Sequence, residues 1–273
     1  MTREGGMNMN FLRMIWIPVF ALVAGCSEDE VSNTGTTDPG HMTITMVDSP
    51  ADYDAVYIDV IGVEAHQASS DSNSGWISIG SNPGIYDLIT LRNGVEAVIA
   101  DSSLPAGHYT QVRLLLGNSN TVVVDGVEYP LEVPSGSQSG LKLNHQFTIE
   151  PNTVYALMLD FDAEKSIVET GNGEYQLKPV IRLVPTQLSG SISGTVLPAE
   201  SQSTASIVAG LDTISAYADT SSGYFKLMAV PAGTYSLMIV PTVTGYQDTT
   251  LDGVTVVAGQ DTDVGTIMLS GPQ

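Results

Sequence analysis

Cysteine occurs once in this chain, at Cys26. A single thiol closes no intramolecular disulfide and completes no cysteine-based zinc or redox pair, so its role has to be local. Cations are scarce as well: 9 Lys and Arg stand against 30 Asp and Glu, a formal charge of -21. Nucleic acid and anionic lipid headgroups are recognised through clustered Lys and Arg, so neither is an expected partner. Aromatic residues make up 7% of the chain, which argues against an extended stacking platform. The four histidines, His41, His66, His108 and His145, have no HExxH or HxH spacing. No GxSxG elbow, phosphate-binding loop or dinucleotide glycine pattern occurs. A non-enzymatic protein is expected. Long apolar runs are missing too, since Met14 to Ala24 falls short of the roughly 20 residues that a spanning helix needs.

What that short run does offer is a leader. Arg3 and Arg13 give a basic start, the apolar stretch follows, and small Ala24 and Gly25 stand directly before Cys26. This is the order of a secretory signal, assigned to residues 1–25. Val23-Ala24-Gly25-Cys26 resembles the bacterial lipobox, which implies lipid on the Cys26 sulfur, cleavage before it and an acylated new amino terminus. The expected partner of that anchor is a lipid bilayer. Ser27 is not the Asp that favours inner-membrane retention, so the resemblance implies the outer membrane. Glu28-Asp29-Glu30 is similar to the acidic signal that sends some lipoproteins to the cell surface, and reads equally as a solvated tether. Residues 26–40 have too few apolar side chains to order themselves and form a flexible acidic tether, with a random-coil span on the order of 20 Å.

From His41 the pattern turns to strands. MTITMV, AVYIDVIGV, GWISI, YDLITL, EAVIA, YTQVRLLL, TVVV, GVEYPLEV, YALMLDF and KPVIRLVP are short, rich in Val, Ile, Thr and Tyr, and separated by turn residues. Asn93-Gly94, Asp125-Gly126 and Asn172-Gly173 are hairpin-type dipeptides. A short helical piece is conceivable within Leu88 to Ala100, where Asn93-Gly94 forbids a long one. Thr186 to Ser191 reads as a junction, after which ISGTVL, ISAYAD, GYFKLMAV, TYSLMIV, GVTVVAG and VGTIML restart the rhythm. The expected fold is all-β, two tandem β-sandwiches over residues 41–186 and 187–273. Pro-Ala-Gly precedes a strand whose second residue is Tyr in both halves, at Tyr109 and at Tyr235. Each ring is expected on its core with its hydroxyl bonded to a backbone carbonyl.

Two resemblances sharpen this. In the first half, Asp48-Ser49-Pro50-Ala51-Asp52-Tyr53-Asp54, Leu104-Pro105-Ala106-Gly107-His108-Tyr109, Leu159-Asp160-Phe161-Asp162-Ala163 and Tyr175-Gln176-Leu177-Lys178-Pro179-Val180 resemble the lipoprotein domain of unknown function 4382. That implies a β-rich lipoprotein and no particular activity. In the second half, Gly194-Thr195-Val196, Gly223-Tyr224-Phe225-Lys226-Leu227, Val230-Pro231-Ala232-Gly233-Thr234-Tyr235 and Val264-Gly265-Thr266-Ile267 resemble the carboxypeptidase regulatory-like domain, a transthyretin-like sandwich with a carbohydrate-binding-like fold. That implies a spacer or recognition module. The Ser-rich loop Pro198 to Gly210 departs from it.

The candidate sites are few. Asp160 and Asp162 share one face of a strand, and Asp48, Asp52 and Asp54 cluster elsewhere; together they would suit Ca²⁺ if the segments meet. The preferred alternative is that Asp48 and Asp52 cap turns while Asp160 and Asp162 face water or pair with Arg113 or Lys165. Trp76, the one Trp after the leader, is a candidate ligand contact, although a Trp entering a strand is expected in the core. The function expected is a lipid-anchored recognition or surface-assembly module, its partner a surface glycan or a neighbouring outer-membrane protein. The alternative is a carbohydrate-binding lipoprotein that serves glycan capture. If Cys26 is the anchor, Cys26→Ala leaves the protein soluble or with an uncut leader; a variant that still partitions with membranes after a carbonate wash contradicts it.

Overall fold

The computed structural model describes residues 38–68, 74–134 and 140–271, which belong to one compact unit. The leader, Cys26 and most of the tether lie outside the described residues. The fold is all-β, a succession of packed sheets. In the first half the strands are β1 (Gly40–Ser49), β2 (Ala55–Gln67), β3 (Trp76–Ser78), β4 (Gly84–Asp87), β5 (Ala97–Leu104), β6 (Gly107–Leu116), β7 (Thr121–Val124), β8 (Val127–Glu132), β9 (Leu141–Ile149), β10 (Val154–Asp162), β11 (Ile167–Glu169), β12 (Tyr175–Leu177) and β13 (Ile181–Pro185). One sheet runs β13-β10-β1-β5. The other runs β11-β12-β8-β7-β2-β6-β9, with β3 and β4 on the far edge of β2.

Alternation decides which side chains meet between these sheets. Met42, Ile44 and Met46 of β1, with Leu157, Leu159 and Phe161 of β10, point to one side and are fully buried. They belong to one cluster with Val63 and Ala65 of β2 and Tyr109, Val112 and Leu114 of β6. β1 and β10 pair in parallel, so that Asp48 lies opposite Phe161 and Ser49 opposite Asp162. The parallel register carries the two acidic segments to the same end of one sheet.

The second half contains β14 (Ser189–Leu197), β15 (Ser203–Ala209), β16 (Asp212–Tyr217), β17 (Tyr224–Pro231), β18 (Gly233–Pro241), β19 (Thr249–Val256) and β20 (Asp261–Met268). Its sheets are β17-β14-β20 and β16-β15-β18-β19. Ile192, Ala205, Ile207, Phe225, Leu227, Leu237 and Ile239 fill the space between them. The Ser-rich stretch expected to be a loop is the correction here, because it holds β15. Ser203, Ala205 and Ile207 alternate inward, and the buried Ser203 hydroxyl is satisfied by Ser201 at 2.9 Å.

The turns follow the sequence. Asp125 and Gly126 both take positive φ, 52° and 75°, between β7 and β8, where Val124 pairs with Val127. A 3-10 turn, Leu88–Thr90, is capped by the Asp87 carboxylate. Both tyrosine corners form: the Tyr109 hydroxyl donates to the Pro105 carbonyl and the Tyr235 hydroxyl to the Pro231 carbonyl, each at 2.8 Å.

Between the halves stands one 3-10 turn, Thr186–Leu188. A third apolar cluster bridges it: Val47, Met158 and Val184 on the outer face of the β13-β10-β1 sheet meet Met228 and Ala229 of β17. Ala229 has φ 53°, the left-handed region, at an irregularity in the β14–β17 register. Such a residue costs roughly 1–2 kcal/mol of strain. Asn93 reaches across as well, its amide donating to the Tyr217 carbonyl and its side-chain oxygen accepting from Lys226 N–H, both at 3.1 Å.

Each half has its own core, so we propose the boundary at Thr186. Fragments ending at Thr186 and beginning at Gln187 are expected to melt cooperatively in isolation, with the first less stable than in the full chain because Val47, Met158 and Val184 lose their cover. A fragment without a cooperative transition contradicts the boundary.

Candidate functional site

Two places gather polar groups, and the first is the solvent face of the larger sheet. Pairing places Trp76 beside His66 and Ser78 beside Glu64, then His66 beside Gln111 and Glu64 beside Arg113. It continues with Gln111 beside Asn144 and Arg113 beside Lys142. Two side-chain rows therefore cross β3, β2, β6 and β9. The Trp76 ring carries the Arg113 guanidinium 4.2 Å from its centroid and the Lys142 ammonium at 5.9 Å. His66 packs against its edge at 5.0 Å. Glu64 accepts a charged hydrogen bond from Arg113 Nε, and Gln111 donates to Asn144 at 2.7 Å. The expectation of a core Trp is corrected: Trp76 is half-buried and stands outside the apolar cluster, while its neighbour Ile77 packs inward. In a strand of three residues alternation gives the inside to one of the two.

The histidines go to separate partners: His41 to Asp101, His66 to Thr110, His108 to Thr148 and His145 to the Tyr155 hydroxyl. Burial lowers the His145 pKa. Among the described residues no group of three or more His, Cys, Asp or Glu is disposed to hold a metal ion.

The second place is the junction. Of the five acids singled out as Ca²⁺ candidates, Asp48, Asp160 and Asp162 come to one end of β1 and β10. Asp54 is engaged elsewhere, accepting from the Gly126 N–H at 2.7 Å, and the Asp52 N–H donates to Glu164. Asp162 caps the short helix α1 (Ala163–Ser166), accepting from Lys165 N–H at 2.9 Å and from its ammonium at 2.6 Å. Asp160 pairs with Arg182, not Arg113, which lies in the other sheet. Arg182 Nη2 donates to Asp160 Oδ2 at 2.6 Å and Nε at 3.2 Å, while the Ser49 hydroxyl donates to Oδ1 at 3.2 Å. The third guanidinium nitrogen, Nη1, donates to the Ala229 carbonyl at 2.9 Å. The left-handed turn at Ala229 thus aims a carbonyl at an arginine of the other half. Sequence reasoning missed Arg182, and the signal was faint: it is the lone cation in an apolar strand, IRLVP.

Beside this brace a crevice of about 610 Å³ opens, lined by Ser49, Asp160, Asp162, Lys165 and Arg182 and by Asp212 and Ser215 opposite. Its volume falls in the range of small-molecule sites. Its paired charges are committed to one another. Asp48 lies outside that lining. Oδ1 accepts from the Ala163 N–H at 3.1 Å, and Oδ2 meets no hydrogen-bond partner. Burial, with Asp160 and Asp162 close by, raises its pKa to about 9 against the pull of Ala163 N–H and Arg92. Asp160 is also raised by burial, with Arg182 and Ser49 pulling the other way.

A carboxyl whose folded pKa stands above its unfolded value of 3.8 binds its proton more tightly in the native state. Its contribution is fully present below that value and is lost as pH rises toward 9. Asp48→Asn keeps the acceptor and removes the titration. The variant is expected to fold and to lose roughly half as much urea midpoint as the parent between pH 5 and pH 9. Equal losses in both proteins contradict a neutral Asp48.

Several solved structures match the chain at low similarity. A minor pilin of Streptococcus agalactiae matches at 12% identity and TM-score 0.25, covering 85% of this chain and 97% of that one. A candidate adhesin from Bacteroides ovatus matches at 12% and TM-score 0.24, covering 92% and 99%. A cohesin and X-dockerin complex from Acetivibrio cellulolyticus matches at 24% and TM-score 0.24, over 30% of this chain; the alignment spans 58% of the length of that chain. At these values the likeness carries no weight for function. No curated protein matches the chain. The sequence does match one family over residues 39–179, β1 to the end of β12, more than half of its length. The chain therefore belongs to the family described as Domain of unknown function (DUF4382).

Proposed function

We propose that this protein is a non-catalytic surface module, lipid-anchored at Cys26 to the outer membrane, that holds a recognition face at a fixed attitude on a rigid pair of sandwiches. The observation that carries this reading is the brace at the junction. Arg182 and Asp160, half-buried and buried, are spent on locking β17 of one sandwich to β10 and β13 of the other. Catalytic carboxylates instead confront an open cleft with pKa values set apart for acid and base roles. A spacer that must present a surface needs stiffness, and a joint with polar clasps and an apolar contact supplies it. The second sandwich serves as that spacer, in keeping with its resemblance to the carboxypeptidase regulatory-like domain.

The anchor rests on the Val23-Ala24-Gly25-Cys26 pattern and on the acidic stretch that follows it. Among the described residues no helix is long and apolar enough to cross a membrane. Charge supports a body held off the bilayer, since a chain with 30 Asp and Glu is repelled by anionic headgroups. Whole-cell protease treatment tests the topology. The parent protein is expected to be cleaved on intact cells, and replacing Glu28, Asp29 and Glu30 by Ala is expected to keep lipidation while reducing that cleavage. Full protection of the parent contradicts surface display, and unchanged cleavage of the variant reduces those acids to a tether.

A further inference from the structure

The two rows on the face of the larger sheet combine three kinds of group on one platform. Trp76 offers an indole with Arg113 held against it; Gln111 and Asn144 offer amides beside one another; Lys142 is exposed at the edge. His108 and Thr148 pair farther along β6 and β9, beyond a register irregularity and the Tyr109 and Phe147 pair. Glu64 is the one carboxylate in the two rows, and it is engaged by Arg113. Two of the chain's 9 Lys and Arg therefore meet here in a molecule of formal charge -21. A polyanion is repelled by the acid-rich remainder and drawn to such a patch.

We propose that this face binds an acidic saccharide chain, a polymer whose sugar rings carry carboxylates. The rows cross four strands, three spacings of 4.7–4.9 Å or about 14 Å, which suits an extended ligand better than a compact one. Lys142 takes a sugar carboxylate, while Arg113, engaged by Glu64 and stacked on the indole, adds its charge close by. The amides of Gln111 and Asn144 exchange hydrogen bonds with ring hydroxyls, since each carries both donors and an acceptor. The indole packs on the apolar C–H face of a sugar ring. A neutral sugar would leave Lys142 without a counter-charge, and a bare inorganic anion would leave the amides and the indole unused. The proposal rests on the recognition role given to the first sandwich and supplies its ligand class.

Calorimetric titration of the full chain in detergent tests it, with oligogalacturonate as the acidic probe and the corresponding neutral oligogalactan as control. The expected result is binding of the acidic oligomer that weakens with added salt, with the neutral oligomer at least roughly tenfold weaker. Lys142→Glu, on an exposed position of an edge strand, is expected to keep the parent melting temperature and to lose about tenfold or more in affinity. Trp76→Ala is expected to lose binding as well. The proposal is overturned if neither oligomer binds, if both bind equally, if both variants retain full affinity, or if acetate displaces the oligomer at equal carboxylate concentration, which would mark an adventitious ion only. The titration uses purified protein and is blind to anchoring and topology, so its failure is separable from a failure of surface display in the protease experiment.

Discussion

The ion pair between Asp160 and Arg182 is the constraint on which the arrangement of this molecule turns. It sits on the outer face of the first sandwich, where Val47, Met158 and Val184 also point outward and need cover. A buried carboxylate beside exposed apolar side chains would be unfavourable on a free sheet face. The second sandwich resolves both problems at once: Met228 and Ala229 cover the apolar residues, and the Ala229 carbonyl accepts a hydrogen bond from Arg182 Nη1, which Asp160 leaves unengaged. The left-handed backbone at Ala229 is the local cost of turning that carbonyl outward. Buried pairs are weak sources of net stability, and their best attested role is to fix which parts meet. That is the role proposed for this pair.

Fixing one face of the first sandwich against the second leaves the opposite sheet with a solvent face of its own. The charges of the two faces differ in kind. At the junction Arg182 is matched with Asp160 and Lys165 with Asp162, and burial raises the pKa of Asp48 to about 9. Around Trp76 the cations outnumber the carboxylates in the two rows.

Much of this was legible in the sequence, and the failures have physical causes. The all-β class, the Asp-Gly turn and both tyrosine corners followed from local chemistry. β9 escaped because its outward residues, Lys142, Asn144 and Gln146, dilute the Val, Ile and Thr enrichment that marks a strand, although Leu141, Leu143 and Phe147 alternate on the inside. β15 escaped because Ser203 and Ala205 fill its inward positions where large apolar residues were sought. The shared face of Asp160 and Asp162 was visible from their spacing. Their partners were not, because the registers that bring β13 and β1 alongside β10 are long-range facts with no local signature. Trp76 was placed inside on its residue type, whereas pairing with His66 puts it outside.

The central claim is that Asp160 and Arg182 act as a unit that registers the two sandwiches. The direct test is a double-mutant cycle by urea unfolding of the full chain, using Asp160→Leu, Arg182→Met and both together. Removing Arg182 alone leaves Asp160 buried and unpaired, for which a loss of about 3–5 kcal/mol is expected, whereas the double variant removes both charges and should recover a large part of it. A double variant whose loss equals the sum of the two single losses would contradict the claim.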